Sequence, residues 1–309
     1  MLRSEEALVA LGQWLKTEGY RFVTPTPLTH GRVFSRQPEA RTLRDVFGWS
    51  RPFREDLLPR EARALLEEGG ALQRVGNGFR STVRYSSLGE ELVLHSAWPT
   101  GEADAVFFGP DTYRYVRFLR AVTADRTFAR AVDVGAGSGA GLLSIAEACG
   151  EKWLSDINPR ALSFARVNAA LWGVEARLAQ GSLLEPVEGA FDLITCNPPF
   201  LVDDAERAYR HGGSRGIELS VKLVKAALPR LAPGGLLALY TCTPIVEGRD
   251  LLREALEPAF AKAGVTVRYE ELDPDVYGEE LERPAYADVE RLSIVCLTAL
   301  RSREETVQE

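Results

Sequence analysis

The stretch Ala131-Val132-Asp133-Val134-Gly135-Ala136-Gly137-Ser138-Gly139-Ala140-Gly141 joins a short apolar run to a loop with a glycine at every second position. The run predicts a buried strand, and the small residues after it predict a tight loop that opens a helix. Glycines let a backbone pass close to a ligand, and a helix N-terminus offers free N–H groups. The stretch therefore predicts a nucleotide-type site at a strand end.

From about residue 130 onward, apolar runs alternate with helical patterns, which predicts an α/β fold with a parallel sheet and crossover helices. The strands are expected near residues 130–135, 152–157, 175–180, 191–196, 235–242, 265–271 and 291–299. The helices are expected near residues 140–149, 159–172, 214–231 and 249–263.

An acidic residue, Asp156, closes the second predicted strand. In doubly wound sheets a carboxylate at this position accepts hydrogen bonds from ribose hydroxyls, so the ligand is expected to carry an adenosine. The spacing Gly135-x-Gly137-x-x-Ala140 is also a permitted variant of the dinucleotide fingerprint, which leaves an NAD-binding oxidoreductase open as an alternative.

A second motif, Asn197-Pro198-Pro199-Phe200, follows the apolar run that ends at Cys196. The Asn197 side-chain oxygen and a nearby backbone carbonyl can accept the two protons of an –NH₂ group, and Phe200 offers a flat apolar surface. The motif is typical of a site for a planar nitrogen, although Asn-Pro also opens ordinary turns.

Together the two motifs resemble the class I S-adenosylmethionine-dependent methyltransferases of the Asn-Pro-Pro-aromatic branch, over about residues 105–300. That branch includes release-factor glutamine, adenine-N6 and ribosomal-RNA guanine methyltransferases. The resemblance implies a Rossmann-like seven-stranded sheet, S-adenosyl-L-methionine as cofactor and no metal. It also implies site residues. The catalytic motif is Asn197, Pro198, Pro199 and Phe200, and the cofactor would be held by Phe108, Thr112, Asp133, Gly135, Ala136, Gly137, Gly139, Asp156, Ile157, Ser182, Leu183 and Asn197.

The resemblance is specific at four places, which are the methionine-side loop from Asp133 to Gly139, the ribose-binding Asp156, the adenine-binding turn Gly181-Ser182-Leu183 and the catalytic motif from Asn197 to Phe200. Asp133 is expected near the methionine amino group, and the segment from Phe107 to Thr112 is expected to close over the methionine end. Ser182 stands where many relatives have an aspartate that contacts the adenine amine, and a hydroxyl accepts such a bond more weakly.

Residues 1–104 are expected to form a separate α+β domain that resembles a winged helix, and residues 105–309 the catalytic domain. Helices are predicted from Ser4 to Gly19 and from Pro59 to Gly69, and short helices within the loop of residues 20–53. A hairpin is predicted through residues 72–85 and a further strand at residues 91–95, with Arg74, Arg80 and Arg84 on or near the wing. Such a module binds nucleic acid or protein, or has only a structural role.

Charge is divided unevenly along the 309 residues, whose net charge is −7. Residues 1–130 carry 19 Lys and Arg against 16 Asp and Glu, and subtraction from the totals of 37 and 44 leaves 18 against 28 for the rest. An acidic catalytic half disfavours non-specific binding to nucleic acid.

The four cysteines, Cys149, Cys196, Cys242 and Cys296, are far apart and lie in apolar or small-residue stretches, which predicts buried reduced thiols rather than a metal site. The sequence contains no apolar run long enough to span a membrane and no secretory signal at its start, so a cytoplasmic location is expected.

Two segments are open to interpretation. Residues 209–216 form either a substrate-contacting loop or a lead-in to the next helix. Residues 277–286 are expected to form an acidic surface hairpin, although part of an acceptor pocket is the alternative.

The sequence therefore predicts an N-methyltransferase with a protein glutamine as the favoured acceptor. The alternative acceptor is the exocyclic amine of an RNA or DNA base, at adenine N6 or guanine N2.

Overall fold

The computed structural model describes residues 1–205 and 207–303. Its helices are α1 (Arg3–Thr17), α2 (Pro27–Phe34), α3 (Leu43–Phe47), α4 (Arg60–Glu68), α5 (Pro110–Thr123), α6 (Ala140–Leu143), α7 (Pro159–Leu171), α8 (Glu218–Ala227) and α9 (Leu251–Ala263). Its strands are β1 (Leu72–Val75), β2 (Gly78–Ser81), β3 (Val83–Leu88), β4 (Glu91–Ser96), β5 (Phe128–Val134), β6 (Cys149–Asp156), β7 (Arg177–Gln180), β8 (Phe191–Cys196), β9 (Leu231–Val246), β10 (Arg249–Asp250), β11 (Val265–Asp273) and β12 (Arg291–Arg301).

The main sheet has the strand order β11-β12-β9-β8-β5-β6-β7, with β10 paired to β9. Strands β5 to β9 run parallel to one another, whereas β12 is antiparallel to both β9 and β11. The central strand β5 is flanked by β6 and β8, so the order reverses beside it. Ligands bind at such a switch point, outside the carboxyl ends of the strands.

Local sequence explains where the crossover helices begin and end. Asn158 caps α7 by accepting from the Arg160 N–H at 3.0 Å, and Pro159 occupies the first helical position. Asp250 caps α9 in the same way through the Arg253 N–H at 2.9 Å. Gly264 then ends α9 with φ of 61°.

The seven predicted strands of the α/β half are confirmed, but several boundaries differ. Strand β9 begins at Leu231 and is 16 residues long, because it pairs with β12 along most of its length. The helix expected over residues 140–149 ends at Leu143. There the Ser144 hydroxyl donates back to the Gly141 carbonyl at 2.7 Å, and β6 starts at Cys149.

Helix α5 begins immediately after a glycine, and neither Asp111 nor Thr112 is its N-cap. The N-cap is Gly109, and Pro110 is the first helical residue because its missing N–H costs nothing there. Thr112 still contributes, since its hydroxyl accepts from the Gly109 N–H at 3.4 Å.

The N-terminal helices are followed by two separate two-stranded sheets, β1–β2 and β3–β4. The predicted hairpin is confirmed over residues 72–81, where β1 and β2 pair antiparallel, but its extension to residue 85 is wrong. The chain leaves β2 at Ser81, whose hydroxyl bonds both the N–H and the carbonyl of Val83, and β3 then pairs with β4 instead. The winged-helix likeness and the boundary at residue 104 stay predictions.

The three arginines expected on or near the wing have different environments. Arg84 is 2% exposed and donates to the Ser96 carbonyl at 3.1 Å, so it cannot contact a nucleic acid. Arg80 is half-buried and donates to the Trp98 carbonyl. Arg74 is exposed and lies over the Phe79 ring. These side chains do not make a basic patch.

The N-terminal half shares a hydrophobic core with α7 of the other half. Phe164, Val167 and Leu171 pack into the cluster built by Leu11 and Tyr85. A Cβ at Gly12 of α1 would lie 2.9 Å from a Leu171 methyl carbon, so glycine permits the close approach of the two helices.

The side-chain amide of Asn168 connects α7 to the N-terminal half by hydrogen bonds. The side chain of Asn168, 1% exposed on α7, accepts from the Leu94 N–H at 2.7 Å and donates to the Leu94 carbonyl at 3.0 Å. It also donates to the carbonyl of Ser138 in the glycine loop at 2.9 Å. Asn168 therefore ties strand β4 to the loop that follows β5.

Replacing Asn168 with Ala is expected to lower the free energy of unfolding by about 3 kcal/mol, because buried groups of Leu94 and Ser138 lose their partners. Urea denaturation measures this loss. The matched control, exposed Gln13→Ala on α1, should change stability by less than about 0.5 kcal/mol. Equal effects of the two substitutions would contradict the assigned role of Asn168.

Candidate active site

The ends of three adjacent parallel strands bring the predicted site residues together. Asp133 on β5 is in register with Leu154 on β6 and with Thr195 on β8. Asp156 ends β6, and Asn197 directly follows β8. The glycine loop, the acid and the Asn-Pro-Pro-Phe motif therefore lie along one edge of the sheet.

The glycine loop is held against the end of β6 by backbone hydrogen bonds. The N–H groups of Gly135 and Ala136 both donate to the Ser155 carbonyl, at 2.8 and 3.0 Å. The Gly137 N–H donates to the Asp156 carboxylate at 2.8 Å. The φ angles of Gly135 and Gly137 are 67° and 55°, and a Cβ built on either would meet nothing within 4 Å. The loop therefore presents an open backbone cradle.

Asp133 lies beneath this cradle and is 2% exposed. One carboxylate oxygen accepts from the hydroxyls of Tyr115 and Thr195, both at 2.8 Å, and the other accepts from the Leu142 N–H at 3.3 Å. Burial raises the pKa of Asp133 to about 6, against the lowering effect of these bonds. In this arrangement Asp133 supports the loop from below, and its contact with a methionine amino group stays a prediction.

Asp156 is better placed for a ligand. Its carboxylate accepts from the Gly137 and Asn158 N–H groups, each at 2.8 Å, and a carboxylate has further lone pairs to offer. Burial raises the pKa of this carboxyl group, while the backbone bonds oppose the rise. Beside it, Ile157 is 62% exposed, although large apolar side chains are usually covered.

The predicted adenine turn lies next to Asp156. The Gly181 N–H donates to the Asp156 carbonyl at 3.1 Å. Leu183 has φ of 51° and its carbonyl accepts from the Ser155 hydroxyl at 3.0 Å, so the turn is fixed to β6. Ser182 is exposed at its tip. Ile157 and Leu183 thus supply apolar side chains around the acidic strand end.

The Asn-Pro-Pro-Phe motif contains an acceptor without a donor. The Asn197 Oδ1 atom is buried and has no hydrogen-bond partner among the residues that the structure describes. A buried carbonyl oxygen in this state costs about 1–3 kcal/mol. It is therefore poised for an N–H group that the protein itself does not provide.

Residues 209–216, which come after the Asn-Pro-Pro-Phe motif, pack against it. The Gly212 N–H donates to the Leu201 carbonyl at 2.8 Å. Cβ atoms at Gly212 and Gly216 would lie 2.7 Å from the Pro199 carbonyl oxygen and 2.3 Å from the Phe200 carbonyl oxygen. Residues 209–216 are therefore packed directly on the motif, and Ser214–Gly216 forms a short 3₁₀ turn before α8 in which Arg215 has a left-handed φ of 53°.

The segment from Phe107 to Thr112, which is expected to close over the methionine end, has side chains in two different environments. Phe108 is fully buried and its ring stacks on His95, with the centroids 5.1 Å apart, so it packs against the N-terminal half. Phe107 is half-buried and its ring stacks on Tyr209 at 5.8 Å. The cofactor contacts proposed for Phe108 and Thr112 stay predictions.

Residues 277–286 do not form the acidic surface hairpin that the sequence indicated. They form two 3₁₀ turns, Gly278–Glu282 and Pro284–Tyr286, and both Glu280 and Tyr286 are buried. Arg210 and Arg283 neutralise Glu280, which explains how an acidic residue is buried here.

Sequence reasoning did not identify Tyr115, Thr195 or Tyr240 as parts of the site. Their positions in the apolar pattern of α5, β8 and β9 indicated only core packing. The hydroxyls of Tyr115 and Thr195 bind Asp133, and Tyr240 lies 6.5 Å from Phe200 between ring centroids. The signal that could have identified these residues is a hydroxyl-bearing side chain within an apolar stretch beside a motif.

The four cysteines are free and buried, as expected, and burial raises the pKa of the Cys149 thiol to about 11. Within residues 1–205 and 207–303, no group of three or more His, Cys, Asp or Glu side chains is arranged to hold a metal ion. No helix in this part of the chain is both long and apolar enough to cross a membrane.

Residues 116–264 match the family model of the methyltransferase small domain. Over 183 residues the chain is 30% identical to the release factor glutamine methyltransferase of Bordetella pertussis, covering 54% of this chain and 67% of that protein. The chain belongs to the methyltransferase small-domain family. This confirms the resemblance to the Asn-Pro-Pro-aromatic branch of class I methyltransferases.

This chain is also 40% identical, over 124 residues, to the release factor glutamine methyltransferase of Deinococcus radiodurans. That match covers 36% of this chain and 44% of the relative, so the chain spans less than half the length of this relative. Among solved structures, Trm5b from Pyrococcus abyssi has a TM-score of 0.52 at 17% identity and covers 78% of this chain and 68% of that one. The Rossmann-like fold is thereby confirmed.

The buried Asp133 predicts a pH dependence of stability. Its pKa of about 6 in the folded protein exceeds the ordinary value of 3.8, so folding favours the protonated form. The stabilisation is complete below about pH 4 and is lost as the pH rises through about 6. Compared with Asp133→Asn, the wild type should therefore lose about 2.4 kcal/mol of unfolding free energy between pH 4 and pH 7.

Urea denaturation of both proteins at several pH values measures this difference. Subtraction of the two curves removes the contribution of other titrating groups. A difference that stays constant from pH 4 to pH 7 would show that Asp133 has an ordinary pKa.

Proposed function

We propose that this protein is an S-adenosylmethionine-dependent N-methyltransferase whose acceptor is a glutamine side-chain amide of a protein. The observation that carries the proposal is the buried, unpartnered Oδ1 of Asn197 at the end of β8. This oxygen can accept a hydrogen bond from a planar –NH₂ group, which has two protons to donate and no strongly basic lone pair.

The residues at the strand ends fit S-adenosylmethionine. The open cradle at Gly135 and Gly137 accommodates a ligand against the backbone. The Asp156 carboxylate retains lone pairs for ribose hydroxyls, and the exposed Ile157 supplies an apolar surface for a purine. When bound, S-adenosylmethionine supplies an activated sulfonium methyl group.

The chain's own residues act on the weak partner, the amide nitrogen. Its lone pair is delocalised into the carbonyl, so it is a poor nucleophile. Hydrogen bonds from its two protons to Asn197 Oδ1 and to the Pro198 carbonyl would orient the nitrogen and localise the lone pair. Phe200 would support the flat face of the amide. Catalysis would come from positioning and electrostatics. The nitrogen proton becomes acidic once the methyl group has been transferred and would pass to solvent, so no strong general base is required.

Three observations favour a glutamine over a nucleobase. Both relatives described above are named glutamine methyltransferases. Residues 131–309 carry an excess of ten acidic side chains, which disfavours a phosphate backbone. Arg84, one of the three basic residues predicted on or near the wing, is buried.

The sheet topology disfavours the NAD-binding alternative. Strand β12 is inserted antiparallel between β9 and β11, whereas the dinucleotide-binding fold is a mostly parallel sheet with the order 3-2-1-4-5-6. Calorimetry with S-adenosylhomocysteine and with NAD separates the two proposals, because only the first compound should bind.

Replacing Asn197 with Ala is expected to lower kcat at least about a hundredfold, since one acceptor of the pair is removed. Asn197→Asp keeps an acceptor oxygen and should retain more activity than the Ala variant. Tritiated methyl transfer to a bacterial release factor purified from an unmethylated strain measures both rates.

Cofactor binding provides the control. S-adenosylhomocysteine should bind Asn197→Ala within a fewfold of the wild-type affinity, whereas Ile157→Asp should weaken binding by about tenfold or more because it places a charge on the purine surface. Unaltered methyl transfer by Asn197→Ala would exclude the proposed role of this residue.

A further inference from the structure

Two tyrosines that adjoin Phe200 share one carboxylate. Asp111, in the first turn of α5 and 8% exposed, accepts from the Tyr240 hydroxyl at 3.0 Å with one oxygen. Its other oxygen accepts from the Tyr277 hydroxyl. The ring centroids of Tyr240 and Tyr277 lie 6.5 and 5.9 Å from that of Phe200, which is aromatic contact distance.

The two tyrosines come from different parts of the fold. Tyr240 lies on β9, which is fixed in the centre of the sheet. Tyr277 lies in the connection between β11 and β12, and its φ of 58° is unusual for a residue with a bulky side chain. A conformation of this kind persists only where surrounding contacts enforce it. The bond to Asp111 and the contact with Phe200 are such contacts.

Asp111 is itself held in place. Arg114, one helical turn later, lies 3.5 Å from Asp111 and 3.4 Å from Asp273 at the end of β11. The same helix supplies Tyr115, whose hydroxyl binds Asp133 beneath the glycine loop. One turn of α5 therefore touches both the support of the cradle and the aromatic residues beside the Asn-Pro-Pro-Phe motif.

We propose that Asp111 is a positioning residue for the methyl acceptor, acting through Tyr240 and Tyr277 to fix an aromatic wall around Phe200, and that Tyr277 helps to select a small planar amide. The inference rests on the proposed function. A carboxylate that binds two hydroxyls fixes both rings in one orientation. Tyr277 thereby holds the connection between β11 and β12 against the acceptor side of the site.

A wall of three rings has consequences for specificity. Tyr240 is fully buried and packs against Phe200, whereas Phe200 and Tyr277 are partly exposed. In this proposal the two partly exposed rings would oppose sideways displacement of a flat group. Removal of the Tyr277 ring would enlarge the space beside Phe200. The acceptor would then be bound less tightly and held less accurately against the methyl group, and misplacement by about 1 Å can cost a hundredfold in rate.

The test compares Tyr277→Phe, Tyr240→Phe, their double variant and Asp111→Ala, each by methyl transfer to the unmethylated release factor. Each single tyrosine variant should lower kcat/KM for the acceptor about tenfold, chiefly through a raised KM. The ring is retained in each variant, but no hydroxyl fixes it to Asp111. The double variant and Asp111→Ala should each lower it by about a hundredfold. The affinity for S-adenosylhomocysteine should stay within about twofold in the two tyrosine variants.

A thermodynamic cycle separates positioning from a general structural role. If Asp111 acts through the two hydroxyls, its removal in the double-Phe background should change kcat/KM by less than about twofold. A further loss of tenfold or more in that background would overturn the proposal.

The matched control is Tyr269→Phe, which breaks a similar bond from a tyrosine hydroxyl to Asp250, at 2.7 Å, at the N-terminus of α9. It should leave kcat/KM unchanged. An equal loss of kcat/KM in Tyr269→Phe and Tyr277→Phe would show that the effect comes from lost stability, and this would overturn the proposal.

Failure of the proposed function gives a different result. In that case the wild type would transfer no methyl group to any tested protein, and all variants would be equally inactive. A wild type that is active, with Tyr277→Phe and Asp111→Ala equal to it, would refute only the positioning role.

Discussion

The buried carboxylate of Asp133 is the interaction on which the rest of the site depends. It receives hydrogen bonds from Tyr115 on α5, from Thr195 on β8 and from the backbone of Leu142 on α6. A carboxylate that is 2% exposed is costly to bury, and these three donors make burial tolerable. The helix, the strand that leads to Asn197 and the turn after the glycine loop are thereby joined at one point.

The arrangement above Asp133 is complementary in chemistry as well as in position. The glycine loop presents backbone on one side of the strand ends, and Asn197 presents an unpaired acceptor on the other. Because β5 and β8 are adjacent and parallel, their carboxyl ends are neighbours by construction of the sheet. The fold itself thus brings the glycine loop and the unpartnered Asn197 oxygen together at one edge of the sheet, while α5 and the connection between β11 and β12 supply the surrounding aromatic side chains.

Much of the sheet could be predicted from the sequence because its signals are local. The alternation of apolar runs with capped helices gave every strand from β5 to β9, and the motifs at 135 and 197 fall where those strands end. Boundaries set by pairing were missed, as in β9, whose length depends on β12 about 50 residues later. The turn after Ser81 was missed for a similar reason, since β3 pairs with β4 instead of continuing β2.

Contacts between distant residues were beyond sequence reasoning. Asp111 and Tyr277 are 166 positions apart, and neither is part of a motif that would indicate their hydrogen bond. Asn168 looks like an ordinary polar position of α7 until its contacts with Leu94 and Ser138 are seen. Such pairs are specified by packing in three dimensions, so they carry no periodic or compositional signal.

The most direct measurement is a crystal structure of the protein with S-adenosylhomocysteine. The predicted arrangement has the ribose on Asp156, the adenine between Ile157 and Leu183, and the sulfur directed toward Asn197 with space for a methyl group between them. A nucleoside bound elsewhere, or a sulfur directed away from Asn197, would contradict it.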